Sequence, residues 1–230
     1  MVDKRPVRFI PAKPKLYPFA PRGEAMRAVM RSCAFVLAVN WLTQGMRGMD
    51  AKELVFRLLF ELLLATGLFA VLAAMGAPAA LLLSAFVAHS LNFTLNGQFW
   101  VCARYCPSYR GDPARLRRFM RGVAGELSGR RSIDAAVAIG SLGGDTFGPR
   151  SDLDLRLVMA PGLRAWMAAN LLLLRLRARA FLERIPLDAY AYAGVGSLER
   201  FEPDEPWVLL SDEHGRIARR FPARRLMSLS

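Results

Sequence analysis

The stretch GSLGGDTFGPRSDLD, residues 140–154, joins two apolar runs, AAVAI before it and LRLVM after it. It contains a small Gly-Ser turn, a glycine-rich loop and two aspartates separated by one residue. The apolar runs predict strands on both sides of the loop, and side chains alternate between the two faces of a strand. Asp152 and Asp154 are therefore expected on one face, with Leu153 and Leu155 in a core on the other.

Two carboxylates on one face repel each other unless a cation lies between them. Asp188 lies in IPLDAYAYA, a further alternating run at 185–193, and is a third carboxylate on a predicted strand. Carboxylate oxygens are ligands that Mg²⁺ or Mn²⁺ prefers. Asp152, Asp154 and Asp188 thus predict a divalent-metal site of the kind that serves in-line displacement at phosphorus.

The residues before the paired aspartates suit a triphosphate. Gly140 lets backbone N–H groups approach a phosphate closely, and the Ser141 hydroxyl can donate to a phosphate oxygen. Arg150 offers a guanidinium fork. These three residues are the predicted nucleotide-phosphate contacts.

The order of elements in the second half predicts an α/β domain with a mixed sheet. Strands are expected at 135–139, 152–159 and 185–193, with a helix at about 161–184. A basic amphipathic helix with Asp112 as N-cap should precede them. The final WVLLSDEHGRIARRF is interpreted as two short strands around an SDEHG turn.

These residues resemble the minimal nucleotidyltransferases of the DNA polymerase beta superfamily, over about residues 115–220. The Gly140-Ser141 turn, its interval to Ser151-Asp152-Leu153-Asp154 and the later Asp188 carry the resemblance. It implies a nucleotidyltransferase-like fold with flanking helices, magnesium at the three aspartates and nucleotide phosphates at the turn. The chain has Leu142-Gly143 where the family often has a basic or small residue pair.

The first half predicts an α-helical transmembrane hairpin over 50–104. No residue from Leu62 to Ala103 carries a formal charge, and MGAPAA at 75–80 supplies a turn. The two spans are expected at about 50–75 and 79–101, the first starting with a capping-box-like pair, Asp50 and Glu53. Arg57 and Glu61, one turn apart, can pair or snorkel. A buried helical pair in a soluble core is the alternative interpretation.

Basic residues lie on both sides of the hairpin and none lies in its turn, so both termini are predicted to be cytoplasmic. The chain is then a multi-pass protein of the inner membrane. Residues 1–49 are interpreted as a basic, proline-rich tail and an interfacial amphipathic helix at 24–46, and 105–230 as the cytoplasmic domain. Trp100, Arg104 and Tyr105 are assigned to a belt at the membrane boundary.

A polar stripe, His89, Asn92 and Asn96, runs along the second span. It is interpreted as a helix contact, with a lipid-phosphate site as the alternative. The three cysteines are expected to be reduced thiols, because neither their number nor their spacing indicates a disulfide framework or a zinc site.

The net charge of +13 fits an anionic partner. Because the arginines flank the spans and no nucleic-acid motif accompanies them, the lipid bilayer is favoured over nucleic acid. The expected protein is a membrane-anchored nucleotidyltransferase that uses an NTP and a membrane-proximal acceptor: a lipid, a lipid-linked glycan or a protein. Two alternatives stand beside it, a non-catalytic nucleotide-binding module that docks a partner enzyme and an antitoxin-like enzyme that nucleotidylates a protein.

Overall fold

The computed structural model describes residues 23–46, 49–144, 147–202 and 205–229. They form a mixed α/β protein in which helices flank a five-stranded mixed sheet. The helices are α1 (Glu24–Arg31), α2 (Cys33–Thr43), α3 (Ala51–Ala74), α4 (Ala80–Leu95), α5 (Gln98–Ala103), α6 (Pro113–Leu127), α7 (Leu163–Leu182) and α8 (Arg216–Arg220). The strands are β1 (Ile133–Ile139), β2 (Leu153–Met159), β3 (Leu187–Tyr192), β4 (Trp207–Ser211) and β5 (Leu226–Ser228).

The strand order in the sheet is β3-β2-β1-β4-β5. β1 runs antiparallel to β2 and to β4, whereas β2 and β3 are parallel. The predicted mixed sheet is therefore confirmed. The register places Asp154 opposite Asp188 on β3 and opposite Ile139 on β1, so the end of β1 and the starts of β2 and β3 meet at one end of the sheet.

Alternation along β2 divides the core as the sequence predicts. Leu153, Leu155 and Leu157 pack with α6 and α7 on one face of the sheet. Val158 lies on the other face, with Tyr190 and Trp207. This second face is the one from which Asp154 projects, because residues two apart on a strand share a face.

The C-terminal segment differs from its prediction. One strand, β4, is followed by helix α8 rather than by a second strand, and β5 comes later in the chain. The Asp212 carboxylate explains the helix, because its oxygens accept hydrogen bonds from the backbone N–H groups of Arg216, Ile217 and Ala218. Those are donors that a helix N-terminus leaves without intrahelical partners.

The helical half is organised around the antiparallel helices α3 and α4. α3 begins after Asp50, whose side chain accepts from the Lys52 N–H, as the sequence predicts. Among the described residues, α3 alone forms an unbroken helix that is long and apolar enough to cross a membrane. Helix α4 is also apolar but is shorter. α1 and α2 satisfy the same test only as a pair bent by 67°. The two-span hairpin therefore stays a prediction.

Two predicted helices are interrupted. The segment at 24–46 breaks at Ser32, whose side chain caps α2 by accepting from the Phe35 N–H. The second hairpin helix ends at Leu95, and α5 follows Gly97 instead of a continuous run to residue 101. The predicted proline-rich tail, 1–22, lies outside the described residues.

Gly97 accounts for the second interruption. Its φ is +78°, and a Cβ there would lie 3.1 Å from the Leu187 carbonyl oxygen and 3.3 Å from Cγ of Arg177. A side chain would thus be strained at this backbone conformation and crowded by β3. The break lets the helical half approach the strand that carries Asp188.

A buried charge cluster, Glu53, Arg57 and Arg177, joins α3 and α7 to the free edge of β3. The Glu53 carboxylate pairs with Arg57 at 2.8 Å and with Arg177 at 2.7 Å, and the Glu53 and Arg57 side chains are fully buried. Glu53 also accepts from the Ala191 N–H at 2.6 Å, and Arg177 donates to the Ala189 carbonyl. Glu53 therefore acts at long range rather than in the predicted capping box, and Arg57 pairs with it rather than with Glu61.

The polar stripe of α4 contacts neighbouring helices. His89 Nδ1 lies 2.7 Å from a Glu61 oxygen, and its Nε2 lies 2.9 Å from the Trp41 carbonyl oxygen. Asn92 donates to Glu61 at 2.7 Å, and Asn96 donates to Asn92. Because each stripe residue has a partner within the helices, these contacts favour the helix-contact interpretation.

The cysteine prediction is wrong for two residues. Cys33 and Cys106 form a disulfide with a Cα–Cα distance of 4.8 Å, although 73 residues separate them in sequence. Spacing rules could not find this pair, because the fold alone brings the start of α2 to the segment after α5. Cys102 is buried and is not part of this disulfide.

Peptide mapping without reductant is expected to recover the Cys33 and Cys106 peptides as one linked species, with Cys102 alkylated only after unfolding. The linkage follows from the Cα separation, which lies in the usual disulfide range. Cys33→Ser should release Cys106 for alkylation. Free alkylation of both Cys33 and Cys106 in the folded wild-type protein would argue against the disulfide.

Candidate active site

The three predicted carboxylates meet at one end of the sheet. Asp154 on β2 pairs in register with Asp188 on the parallel strand β3. Asp152 lies two residues before Asp154. Their side chains are 25%, 19% and 15% exposed for Asp154, Asp188 and Asp152. The three aspartates that the sequence singled out thus lie at the same end of the sheet, each partly exposed.

Arg156 lies against two of these aspartates. Its guanidinium contacts Asp154 at 3.2 Å and Asp188 at 3.3 Å, and it donates to the Asp188 carbonyl oxygen at 2.6 Å. Its side chain is 8% exposed and its guanidinium stacks over the Tyr190 ring at 4.9 Å. The buried guanidinium of Arg156 therefore bridges the carboxylates of Asp154 and Asp188.

Arg104 supplies a second cation from the helical half. One of its nitrogens lies 2.5 Å from an Asp152 carboxylate oxygen, and another donates to the Arg150 carbonyl oxygen at 3.1 Å. The sequence assigned Arg104 to a membrane-boundary belt. In the fold its guanidinium pairs with an aspartate of the candidate site.

The Gly-Ser turn lies beside Asp154. Gly140 has a φ of +87°, and a Cβ there would lie 3.5 Å from an Asp154 oxygen and 3.2 Å from a Glu205 oxygen. Glycine therefore keeps this space open between two carboxylates. Ser141 is partly buried at the start of a 3₁₀ turn, Ser141–Gly143. Within this turn the N–H groups of Gly143 and Gly144 donate to the carbonyl oxygens of Gly140 and Ser141.

Arg150 ends the glycine loop and is partly buried. Its backbone carbonyl is held by Arg104, so its position is tied to the helical half. The phosphate contact of Arg150 stays a prediction, and residues 145–146 of the loop lie outside the described ranges.

Burial and like charges alter the titration of the paired aspartates. Burial raises the pKa of Asp154 well above its ordinary value of 3.8, and the charges of Asp152 and Asp188 raise it further against the pull of Arg156. Burial also raises the pKa of Asp152, against the opposing pull of Arg104. The negative charge at Asp154 is therefore only partly compensated by the protein's own cations.

This donor set fits a hard divalent cation by its chemistry. Three aspartates, with Glu205 near Gly140, face the two arginines, so acidic groups are in excess. No group of three or more His, Cys, Asp or Glu side chains among the described residues is arranged closely enough to form a metal centre. Arg104 contacts Asp152, and Arg156 contacts both Asp154 and Asp188, so each of the three carboxylates already has a cationic partner within the protein.

Three residues of this site were missed from the sequence. Arg156 could have been found, because period-two alternation places it on the face of Asp154. Glu205 reaches Gly140 only through the pairing of β1 with β4, and Arg104 reaches Asp152, which lies 48 positions further along the chain. Neither contact leaves a local pattern in the sequence.

Mg²⁺ is expected to raise the melting temperature more at about pH 8 than at about pH 5. The pKa of Asp154 is raised in the folded protein, so protonation of Asp154 stabilises the fold. This contribution is complete below the pKa of the unfolded state and is lost as the pH rises through the pKa of the folded state. Mg²⁺ binds the ionised carboxylate and so restores stability over that range. Thermal unfolding with and without Mg²⁺ measures the effect.

Asp154→Asn is the matched control, since its side chain cannot ionise. Its Mg²⁺-dependent shift should be smaller and should vary little between the two pH values. An equal Mg²⁺ shift at both pH values in the wild-type protein would refute a metal role for Asp154.

Comparisons of this chain with protein-family models, with characterised proteins and with solved structures gave no match.

Proposed function

We propose that this protein is a membrane-anchored nucleotidyltransferase, which moves a nucleoside monophosphate from an NTP to a membrane-proximal acceptor and releases pyrophosphate. The observation that carries the proposal is the in-register pair Asp154–Asp188 on parallel strands, with Asp152 two residues upstream. Carboxylates on two adjacent strands at one sheet end are the donors that metal-assisted displacement at phosphorus requires. The acceptor is a lipid, a lipid-linked glycan or a membrane protein.

The turn beside Asp154 supports a nucleotide substrate. Gly140 places no side chain beside the Asp154 and Glu205 carboxylates, and its backbone is partly exposed. The Ser141 hydroxyl and Arg150 are the proposed donors to phosphate oxygens. Such donors act by holding the reacting phosphorus in line between the attacking and leaving oxygens.

Mg²⁺ or Mn²⁺ bound by Asp152, Asp154 and Asp188 would supply charge neutralisation at the transferred phosphorus and at the leaving pyrophosphate. Asp188, which is partly exposed at the edge strand β3, is also the proposed acceptor of the proton of the acceptor hydroxyl. Arg156 orients the Asp154 and Asp188 carboxylates from the buried side.

The proposed anchor rests on the exposed apolar surface of α3 and α4. A large apolar surface in contact with water is unfavourable, and lipid would cover it. The inner membrane, with both termini cytoplasmic, is the proposed location. The apolar side chains that are half or more exposed on these helices include Leu58, Leu59, Leu62, Leu63, Val71, Leu81, Leu82 and Phe86.

Arg156 favours one second candidate, a non-catalytic module that binds nucleotide and docks a partner enzyme. Its guanidinium already contacts Asp154 and Asp188, and a permanent protein cation could replace a metal ion there. Such a module would bind nucleotide but release no pyrophosphate.

Pyrophosphate release separates the two candidates. The full chain in detergent is incubated with each of the four NTPs, Mg²⁺ and a membrane extract, and nucleotide binding is measured in parallel. The nucleotidyltransferase predicts release with at least one NTP, beyond that of an Asp188→Asn preparation made in the same way. Nucleotide binding without any release would favour the non-catalytic module.

A further inference from the structure

The segment 104–111, between α5 and α6, is tied to the loop that precedes the paired aspartates. Arg104 pairs with Asp152, and the Gly111 N–H donates to the Pro149 carbonyl oxygen at 2.9 Å. A Cβ on Gly111 would collide with that same carbonyl, so only glycine allows this approach. We call this stretch the connecting segment; it forms one wall beside Asp152.

The connecting segment contains Tyr109, whose side-chain hydroxyl is buried. The residue is 6% exposed, and its Oη has no hydrogen-bond partner among the described residues. Burial raises the pKa of Tyr109 to about 12, against the pull of the nearby Arg104 and Arg115 guanidiniums. The hydroxyl is therefore protonated at neutral pH and can donate. A buried donor without a partner costs free energy unless a ligand satisfies it.

Arg104 and Arg115 are close enough to this hydroxyl for their charges to lower its pKa. Arg104 approaches from the end of α5, and Arg115, in the first turn of α6, is exposed to solvent. Asp152 adds one negative charge, which its pairing with Arg104 offsets. Two guanidiniums and one hydroxyl donor are a set that recognises phosphate oxygens.

We propose that Arg104, Tyr109 and Arg115 form a phosphate-binding site beside Asp152, and that its ligand is the polyphosphate of the nucleotide. This inference deepens the proposed nucleotidyltransferase function and rests on it for the identity of the ligand. Once Asp152 is engaged by a cation, Arg104 can exchange its carboxylate partner for a phosphate oxygen. The helical half then contributes directly to substrate binding, and the site is incomplete without it.

Inorganic tripolyphosphate is the probe, because it has the phosphates of an NTP without the base. Its affinity for the full chain in detergent is measured by titration calorimetry with Mg²⁺ at constant ionic strength. Arg104→Gln is expected to weaken binding about 10- to 100-fold, the usual value of a charge-assisted contact. Tyr109→Phe should weaken it less, by about five- to tenfold, and should fold as the wild type does because its hydroxyl has no partner.

Arg118→Gln, the same charge change at an exposed position of α6, is the matched control and should change the affinity by less than about twofold. Equal affinities of wild type, Arg104→Gln and Tyr109→Phe would overturn the phosphate site, as would an Arg118→Gln loss as large as that of Arg104→Gln. Tripolyphosphate binding that depends on Arg104, in a protein that releases no pyrophosphate from any NTP, would support the site and refute the proposed transferase.

Discussion

Asp154→Asn is expected to lower the rate of nucleotidyl transfer by about 10³-fold, since charge stabilisation worth several kcal/mol is lost and each 1.4 kcal/mol is a factor of ten. Asp154 lies centrally in the candidate site, opposite Asp188 and beside Gly140. The amide keeps the shape of the carboxylate but loses its charge. The measurement is single-turnover transfer under saturating Mg²⁺.

The fold itself should tolerate this change. Burial and neighbouring acids raise the pKa of Asp154, so replacing its charge relieves a repulsion, and the melting temperature without metal should not fall. Asp134→Asn is the matched control, because Asp134 lies near the other end of β1 and pairs with Arg216. It should retain transfer. Comparable rates for Asp154→Asn and the wild type would remove Asp154 from the chemistry.

Glu53→Ala is expected to destabilise the protein by about 3–5 kcal/mol, the usual cost of removing one partner from a buried ion pair. The change leaves Arg57 and Arg177 buried without a carboxylate and the Ala191 N–H without its acceptor. Burial and the Arg57 charge lower the pKa of Arg177 to about 10, against the opposing pull of Glu53. Denaturant unfolding of the full chain in detergent measures the loss.

Glu126→Ala provides the comparison for Glu53. Glu126 also contacts two arginines, Arg175 and Arg179, but these pairs are partly exposed to solvent. Surface pairs contribute about 0–1 kcal/mol. Equal losses of stability for the two variants would show that the buried charge cluster does not hold the helical half against β3.

The local rules predicted those parts of the fold that depend on neighbouring residues. Alternation along β2 and β3 placed their apolar faces in the core, and Asp50 and Asp112 cap α3 and α6 as expected. Where a distant partner decides, the same rules failed. Glu53 looks like part of a local cap, but it contacts Arg177, 124 residues further along the chain.

The candidate site divides in the same way. The three aspartates and the Gly-Ser turn lie in a strand–loop–strand unit and a nearby strand, so their proximity could be anticipated. The arginines change the electrostatics that the sequence suggested. The alternation of side chains along β2 could have predicted the position of Arg156. Arg104 belongs to the helical half and reaches Asp152 only in the folded chain. The disulfide Cys33–Cys106 was hidden for the same reason.

The position of the transferred label tests nucleotidyl transfer most directly. The full chain is incubated with Mg²⁺, a membrane extract and the same NTP labelled at either the α- or the γ-phosphate, with Asp154→Asn as the blank. The proposal predicts α-label on a membrane component and γ-label in free pyrophosphate. Transfer of γ-label to the membrane component, or no α-label transfer beyond the Asp154→Asn blank with any of the four NTPs, would contradict it.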